Sequence, residues 1–143
     1  MTPKQQLMQF LSRFSPQVAT VARGVLRKFD RDLPAATRFV YNKSNALVVG
    51  FGPNERPSDA VLSIGVYRRW VNLYFLDGAS LADEHGLLQG SGTRVRFVRL
   101  TAAADIDLPD VHALIAQALA IAEPAYPARG SGNIVIKQDF IAR

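Results

Sequence analysis

The stretch 36-ATRFVYNKSNALVVGFGPNERPSDAVLSIGVYRRWVNLYFL-76 decides the fold of this chain of 143 residues. Apolar residues recur in it with the two-residue period of β-strands, and clusters of turn-forming residues separate the apolar runs. The predicted strands are Thr37–Tyr41, Ala46–Phe51, Ala60–Val66 and Trp70–Leu76. Short connections favour antiparallel pairing of consecutive strands, so we expect these four to form a meander.

A fifth strand, Arg94–Leu100, is predicted farther along the chain, after a short helix over Leu81–Gln89. Three glycines precede this strand: Gly86 within the predicted helix, and Gly90 and Gly92 after it. Phosphate-binding glycine loops open a helix, so that backbone amides and the helix dipole converge on the anion. These glycines are followed by a strand, which favours a simple turn instead.

Helical periodicity marks both ends of the chain. Thr2 and Ser15 are predicted N-caps of two consecutive helices, and a last helix begins near Asp107 to Asp110 and ends before Pro124. The remainder, 127–143, is a Gly/Ser loop and a short alternating segment that either adds an edge strand or stays mobile. We therefore expect one α+β domain over 1–143, with an antiparallel sheet of about five strands and helices mainly on one face.

Composition excludes several kinds of chemistry. The chain has no cysteine, which removes disulfides, thiolate catalysis and cysteine-based metal sites. The N-terminus lacks a signal-peptide pattern, and no apolar stretch approaches the ~20 residues of a membrane span. We expect a cytoplasmic protein without membrane contact. The 17 Lys and Arg residues against 12 Asp and Glu give a net charge of +5, which permits weak attraction to nucleic acid.

One pattern is similar to that of a hydrolase nucleophile. The sequence 78-GASLA-82 precedes Asp105, Asp107, Asp110 and His112 in hydrolase order. A parallel α/β sheet larger than this chain supplies would be needed, so we interpret Ser80 as the N-cap of the predicted helix over Leu81–Gln89. We predict no catalytic residue, no metal ligand and no cofactor.

The segment 71-VNLYFLDGASLADEHGLLQGSGTRVRFVRL-100 resembles the YdhG-like family of small bacterial domains. The matching positions are Val71, Asn72, Leu73, Phe75, Gly78, Leu81, Asp83, Gly86, Leu87, Leu88, Gly90, Gly92, Arg96 and Leu100. The resemblance implies a curved antiparallel sheet with helices on one side. Some members of the family are described as frataxin-like iron chaperones, and the family offers no catalytic residues to carry over.

The chain departs from what that resemblance implies for iron. Hard iron ions prefer oxygen ligands, and the frataxin-like resemblance implies a cluster of carboxylates on an exposed first helix and strand edge. Residues 1–29 contain no Asp or Glu, whereas Arg23, Arg27 and Arg31 form a stripe along the second helix. We interpret the stripe as a solvated helix face.

The candidate site is the outer face of the sheet. If Val71, Leu73 and Phe75 point to the helices, alternation sends Trp70, Asn72 and Tyr74 the other way, and we expect Arg94 and Arg96 to join them. Aromatic residues with arginine suit a small molecule, a protein partner or nucleobases. We expect a non-catalytic binding or interaction module, with frataxin-like iron handling as the alternative and weak nucleic-acid binding through the arginine-rich surface as a third function. The ligand and the oligomeric state, a homodimer included, stay open.

Overall fold

The computed structural model describes residues 1–140 as three α-helices and a six-stranded sheet. In chain order the elements are α1 (Pro3–Leu11), α2 (Pro16–Asp32), β1 (Thr37–Asn42), β2 (Leu47–Gly52), β3 (Leu62–Val66), β4 (Val71–Phe75), β5 (Arg96–Leu100), α3 (Pro109–Ala120) and β6 (Ile134–Asp139). Within residues 1–140, no helix is long and apolar enough to cross a membrane.

The sheet is mixed, with the strand order β5-β4-β3-β2-β1-β6. Strands β1 to β5 form the expected antiparallel meander. The expectation of an antiparallel sheet of about five strands is wrong at the other edge, where β6 pairs with β1 in parallel, with Arg38 opposite Ile134 and Val40 opposite Ile136. The chain reaches that edge through α3, a connection long enough to join β5 to a strand that runs in the same direction. Since β5 and β1 run the same way in the meander, β6 is parallel to β1.

The hydrophobic core lies on one face of the sheet. Strand alternation directs Val40, Val49, Ile64, Leu73 and Val98 into a single buried cluster. All three helices contribute their buried side chains to the same cluster, including those of Leu11, Val25 and Leu114. The opposite face of the sheet is therefore free of α-helices within residues 1–140, and we call it the helix-free face.

The predicted helix starts of α1 and α2 are confirmed. Thr2 Oγ1 accepts a hydrogen bond from the Gln5 amide at 3.1 Å, and the Thr2 amide donates to Gln5 Oε1 at 2.8 Å, which completes a capping box. Ser15 Oγ accepts from the Val18 amide at 3.3 Å. These caps satisfy amides that have no partner within the helix.

The predicted helix over Leu81–Gln89 is wrong, as is the assignment of Ser80 as its N-cap. A 3-10 turn over Gly78–Ser80 precedes an irregular loop, and the Ser80 hydroxyl donates to the Asp77 carbonyl at 2.8 Å. The Asp83 carboxylate accepts hydrogen bonds from the Leu87 and Leu88 amides, both at 2.9 Å. Such side-chain bonds to nearby amides compete with helix formation.

Tyr126 ties the segment after α3 to the ends of β2 and β3. Its hydroxyl donates to the Phe51 carbonyl and accepts a hydrogen bond from the Val61 amide at 3.1 Å. Burial disfavours the phenolate and raises the pKa of Tyr126 to about 12.

Replacing Tyr126 with phenylalanine is expected to lower the free energy of unfolding by about 1–3 kcal/mol, because the Val61 amide and the Phe51 carbonyl each lose the hydrogen bond to its hydroxyl. In the unfolded chain a tyrosine ionises near a pH of about 10. Because the pKa of Tyr126 is higher in the folded protein, the protonated side chain contributes its full stability below a pH of about 10. This contribution is lost as the pH rises to about 12. Urea unfolding at a series of pH values should show a steeper loss of stability in this window for the wild type than for Tyr126→Phe. Parallel curves would contradict the assignment.

Candidate functional site on the helix-free face

The register of the central strands determines which side chains reach the helix-free face. Phe97 on β5 lies opposite Tyr74, and Arg99 lies opposite Asn72. On β3, Gly65 is the partner of Asn72. Since paired residues share a face, Asn72, Tyr74, Phe97 and Arg99 all project away from the core.

Two tyrosines close over Gly65. A β-carbon built on Gly65 would lie 2.8 Å from both Cε2 and the hydroxyl oxygen of Tyr67, and 2.9 Å from Cε2 of Tyr74. The two phenol oxygens are 2.6 Å apart, within hydrogen-bond distance. Burial and the bond to Tyr74 raise the pKa of Tyr67, so this hydroxyl stays protonated at neutral pH. Only glycine leaves room for this arrangement.

A chain of hydrogen bonds extends from the tyrosine pair to the next strand. The buried Asn72 donates from Nδ2 to the Tyr74 hydroxyl at 3.3 Å, and its Oδ1 accepts from Arg99 Nε at 3.4 Å. The Phe97 ring packs against that of Tyr74 with centroids 5.7 Å apart. We call Tyr67, Asn72, Tyr74 and Phe97 the tyrosine patch.

Trp70 lies at one end of the patch, just before β4 begins. Its side chain is 40% exposed, and the Arg99 guanidinium carbon stands 4.0 Å from its ring centroid, in cation–π contact. Trp70 also borders a hollow beside Val18 and Val21 of α2. It therefore belongs both to the rim of the tyrosine patch and to the end of the sheet.

Arg94 and Arg96 do not join Trp70 and Tyr74, so this part of the sequence prediction is wrong. Arg96 lies opposite Phe75, a core residue, and its Nη1 donates to the carbonyls of Gly92 at 2.5 Å and Val95 at 2.9 Å. Arg94 precedes β5, and its Nε is 3.4 Å from Asp77 Oδ1. Both arginines hold the loop before β5.

Sequence reasoning missed Tyr67, Phe97 and Arg99. For the last two the signal was present, because the aliphatic Val98 and Leu100 fix the phase of β5 and both are buried. Tyr67 follows the last residue of β3 and turns back over Gly65. No periodicity of the sequence indicates that turn.

The patch has the chemistry of a binding surface. It presents aromatic rings for stacking and tyrosine hydroxyl groups for hydrogen bonding, with one arginine at its end. Within residues 1–140, no group of three or more His, Cys, Asp or Glu side chains is placed to hold a metal ion.

A separate concavity of about 220 Å³ lies between α3 and the beginning of β3. Its walls include Val61, Phe75, Leu81, Ala118 and Ile121. It opens on the core side of the sheet, because Phe75 and Ala118 belong to the buried cluster. It is therefore distinct from the tyrosine patch.

Comparison of the chain with protein-family models, with curated proteins and with solved structures gives no significant match.

Proposed function

We propose that the chain is a non-catalytic binding module whose site is the helix-free face around Trp70 and Tyr74. The observation that carries this proposal is the tyrosine patch. Its four side chains join into one hydrogen-bonded and ring-packed network on the face that bears no helix within residues 1–140. The network fixes the positions of the rings before a ligand arrives, and such preorganisation reduces the entropy cost of binding.

The residue types favour a planar aromatic ligand group. Rings gain from offset stacking and edge contacts with Tyr74 and Phe97, and the tyrosine hydroxyls can orient polar substituents. A small molecule and an aromatic side chain of a protein partner share this chemistry. Iron handling, the alternative that the YdhG-like resemblance implies, would need ligands of another kind.

The test uses Trp70, the single tryptophan of the chain, as a reporter. Nucleosides, indoles and aromatic carboxylates are titrated while the emission of Trp70 is followed. We expect at least one class to change the emission in a saturable way. Tyr74→Ala should weaken that binding about tenfold, which corresponds to about 1.4 kcal/mol and lies within the range for an aromatic contact.

Tyr41→Ala is the matched control, because Tyr41 lies on β1 of the same face, three strands from Tyr74. Neighbouring strands are about 4.8 Å apart, which separates the two tyrosines by roughly 14 Å. Tyr41→Ala should bind the aromatic compounds with the affinity of the wild type. Equal losses in both variants, or no saturable response from any class, would contradict the proposal.

A further inference from the structure

A groove runs along the end of the sheet from the β1–β2 turn to the end of β5. It consists of two hollows, of about 580 and about 270 Å³, that share Arg69 as a wall. The first is bordered by Arg13, Phe14 and Arg68, and the second by Trp70 and Arg99. We call these six residues the arginine groove.

The groove brings together the side chains of four arginines, Arg13, Arg68, Arg69 and Arg99. In the part of the chain that the structure describes, no Asp or Glu lines either hollow. Within residues 1–140, Arg68, Arg69 and Arg99 form no ion pair. Exposed cations without partners attract anions from solution, and their effect is concentrated where a concave surface holds several of them.

Arg13 is held by neutral acceptors, as Arg99 is by Asn72 Oδ1. Its guanidinium donates to Asn42 Oδ1 at 3.0 Å and to the carbonyls of Lys43 at 2.7 Å and Ser44 at 3.4 Å. Burial lowers the pKa of Arg13. These bonds fix the charge in place without cancelling it.

The acidic residues near the groove are engaged elsewhere. Asp105 accepts hydrogen bonds from the Thr101 amide at 2.8 Å and the Ala102 amide at 3.1 Å, and Asp139 accepts from Asn42 at 3.0 Å. By contrast, Asp107 neutralises Lys28 and Arg31 on α2, at 2.5 and 3.1 Å. Within residues 1–140, neither Asp105 nor Asp139 forms an ion pair with Arg68, Arg69 or Arg99.

Aromatic rings stand beside the arginines at both ends of the groove. The Arg13 guanidinium carbon is 4.5 Å from the Phe14 ring centroid, and that of Arg99 is 4.0 Å from the Trp70 centroid. Trp70 remains 40% exposed. Cationic grooves with aromatic residues at intervals bind single-stranded nucleic acid, because phosphates pair with the cations and bases stack on the rings.

We propose that the arginine groove binds a single-stranded nucleic acid, with backbone phosphates against Arg68 and Arg69 and a base stacked at Trp70. This inference rests on the proposed function in one respect, since Trp70 and Arg99 border both surfaces. The inference goes beyond the proposed function because it names the ligand class and adds contacts outside the tyrosine patch. Binding would depend on charge and on base stacking, so we expect no preference for a particular base sequence.

The test is fluorescence anisotropy of a labelled short oligothymidylate at increasing salt. We expect the double variant Arg68→Ala/Arg69→Ala to bind at least tenfold more weakly than the wild type at low salt. The slope of log affinity against log salt should fall by about 0.7 for each phosphate that the variant no longer neutralises. Both arginines lie exposed in the turn between β3 and β4, so the fold is expected to persist, and thermal unfolding checks this.

The matched control is Arg23→Ala/Arg27→Ala, which removes the same charge from α2 residues that also form no ion pair within residues 1–140. It should bind nearly as well as the wild type. Equal losses of affinity in the two double variants would overturn the proposal, because they would show that binding depends only on the net charge of the protein. So would unchanged affinity of Arg68→Ala/Arg69→Ala, or equal or tighter binding of duplex DNA or of phosphatidylserine vesicles.

Failure here is distinguishable from failure of the proposed function. Tyr74→Ala should leave oligothymidylate binding unchanged, and Arg68→Ala/Arg69→Ala should leave the binding of aromatic compounds unchanged. Loss of oligothymidylate binding in Tyr74→Ala would overturn the assignment to the groove.

Discussion

Gly132→Ala is expected to detach β6 from β1 and to lower the free energy of unfolding by about 3 kcal/mol, the upper end of the usual cost of overpacking. A β-carbon at this position would lie 1.9 Å from the Ala36 carbonyl oxygen and 2.3 Å from its carbon. Both are backbone atoms, so no side-chain rotation relieves the overlap. Retreat of the loop would break the 2.8 Å hydrogen bond from the Gly132 amide to the Pro34 carbonyl.

Hydrogen exchange measures this effect at the strand itself. The amides of Ile134–Asp139 should lose protection in Gly132→Ala, while those of β3 and β4 keep most of theirs. Gly92→Ala is the control, because its β-carbon would meet nothing nearer than the Val95 carbonyl oxygen at 4.0 Å. Full protection of β6 and a stability change within about 0.5 kcal/mol would show that the contact is not as described.

Gly65→Ala should damage the tyrosine patch most strongly of any single methyl addition on the helix-free face. The new β-carbon would overlap ring atoms of Tyr67 at 2.8 Å and of Tyr74 at 2.9 Å, so the rings must separate and give up the 2.6 Å contact of their oxygens. We expect a loss of about 1–3 kcal/mol in unfolding free energy. Binding of an aromatic compound should weaken at least tenfold, because the preorganised surface is disrupted.

Gly50→Ala is the control on the same face. Its β-carbon would lie 4.0 Å from Phe39 Cβ, an ordinary van der Waals contact. Chemical denaturation and the Trp70 titration are run on both variants. Wild-type binding by Gly65→Ala would contradict the role given to the tyrosine pair, and equal losses in Gly50→Ala would point to a general sensitivity of the sheet.

Local patterns predicted those parts of the fold that depend on local physics. Alternation identified all five strands of the meander, and the caps at Thr2 and Ser15 rest on hydrogen bonds between residues three apart. The parallel pairing of β6 could not be derived in the same way. Alternation indicates a strand but not its partner, and this partner lies about a hundred residues earlier.

The loop after β4 shows a different limit. A polar and apolar pattern typical of a helix is present from Leu81 onward, yet Asp83 bonds to the Leu87 and Leu88 amides. Gly86 adopts a positive φ of 65°, which glycine tolerates and a helix does not use. Two competing local structures have similar sequence signals here, and the hydrogen bonds of Asp83 stabilise the loop instead of the helix.

For the candidate site, alternation placed Asn72 and Tyr74 correctly on the outer face because β4 is a central strand with a clear apolar phase. The expectation that Arg94 and Arg96 share this face is wrong, because Arg96 pairs with the core residue Phe75 and Arg94 precedes β5. On an edge strand a long arginine can reach solvent from either face, so charge alone does not fix the phase. The buried neighbours of Arg99 are the better guide.

The most direct measurement is a map of amide chemical-shift changes in the isotope-labelled protein on addition of whichever aromatic compound saturates the Trp70 signal. If the helix-free face is the binding site, the largest changes fall on Tyr67, Trp70, Asn72, Tyr74 and Phe97. Changes centred instead on Val61, Ala118 and Ile121, around the concavity beside α3, would contradict it.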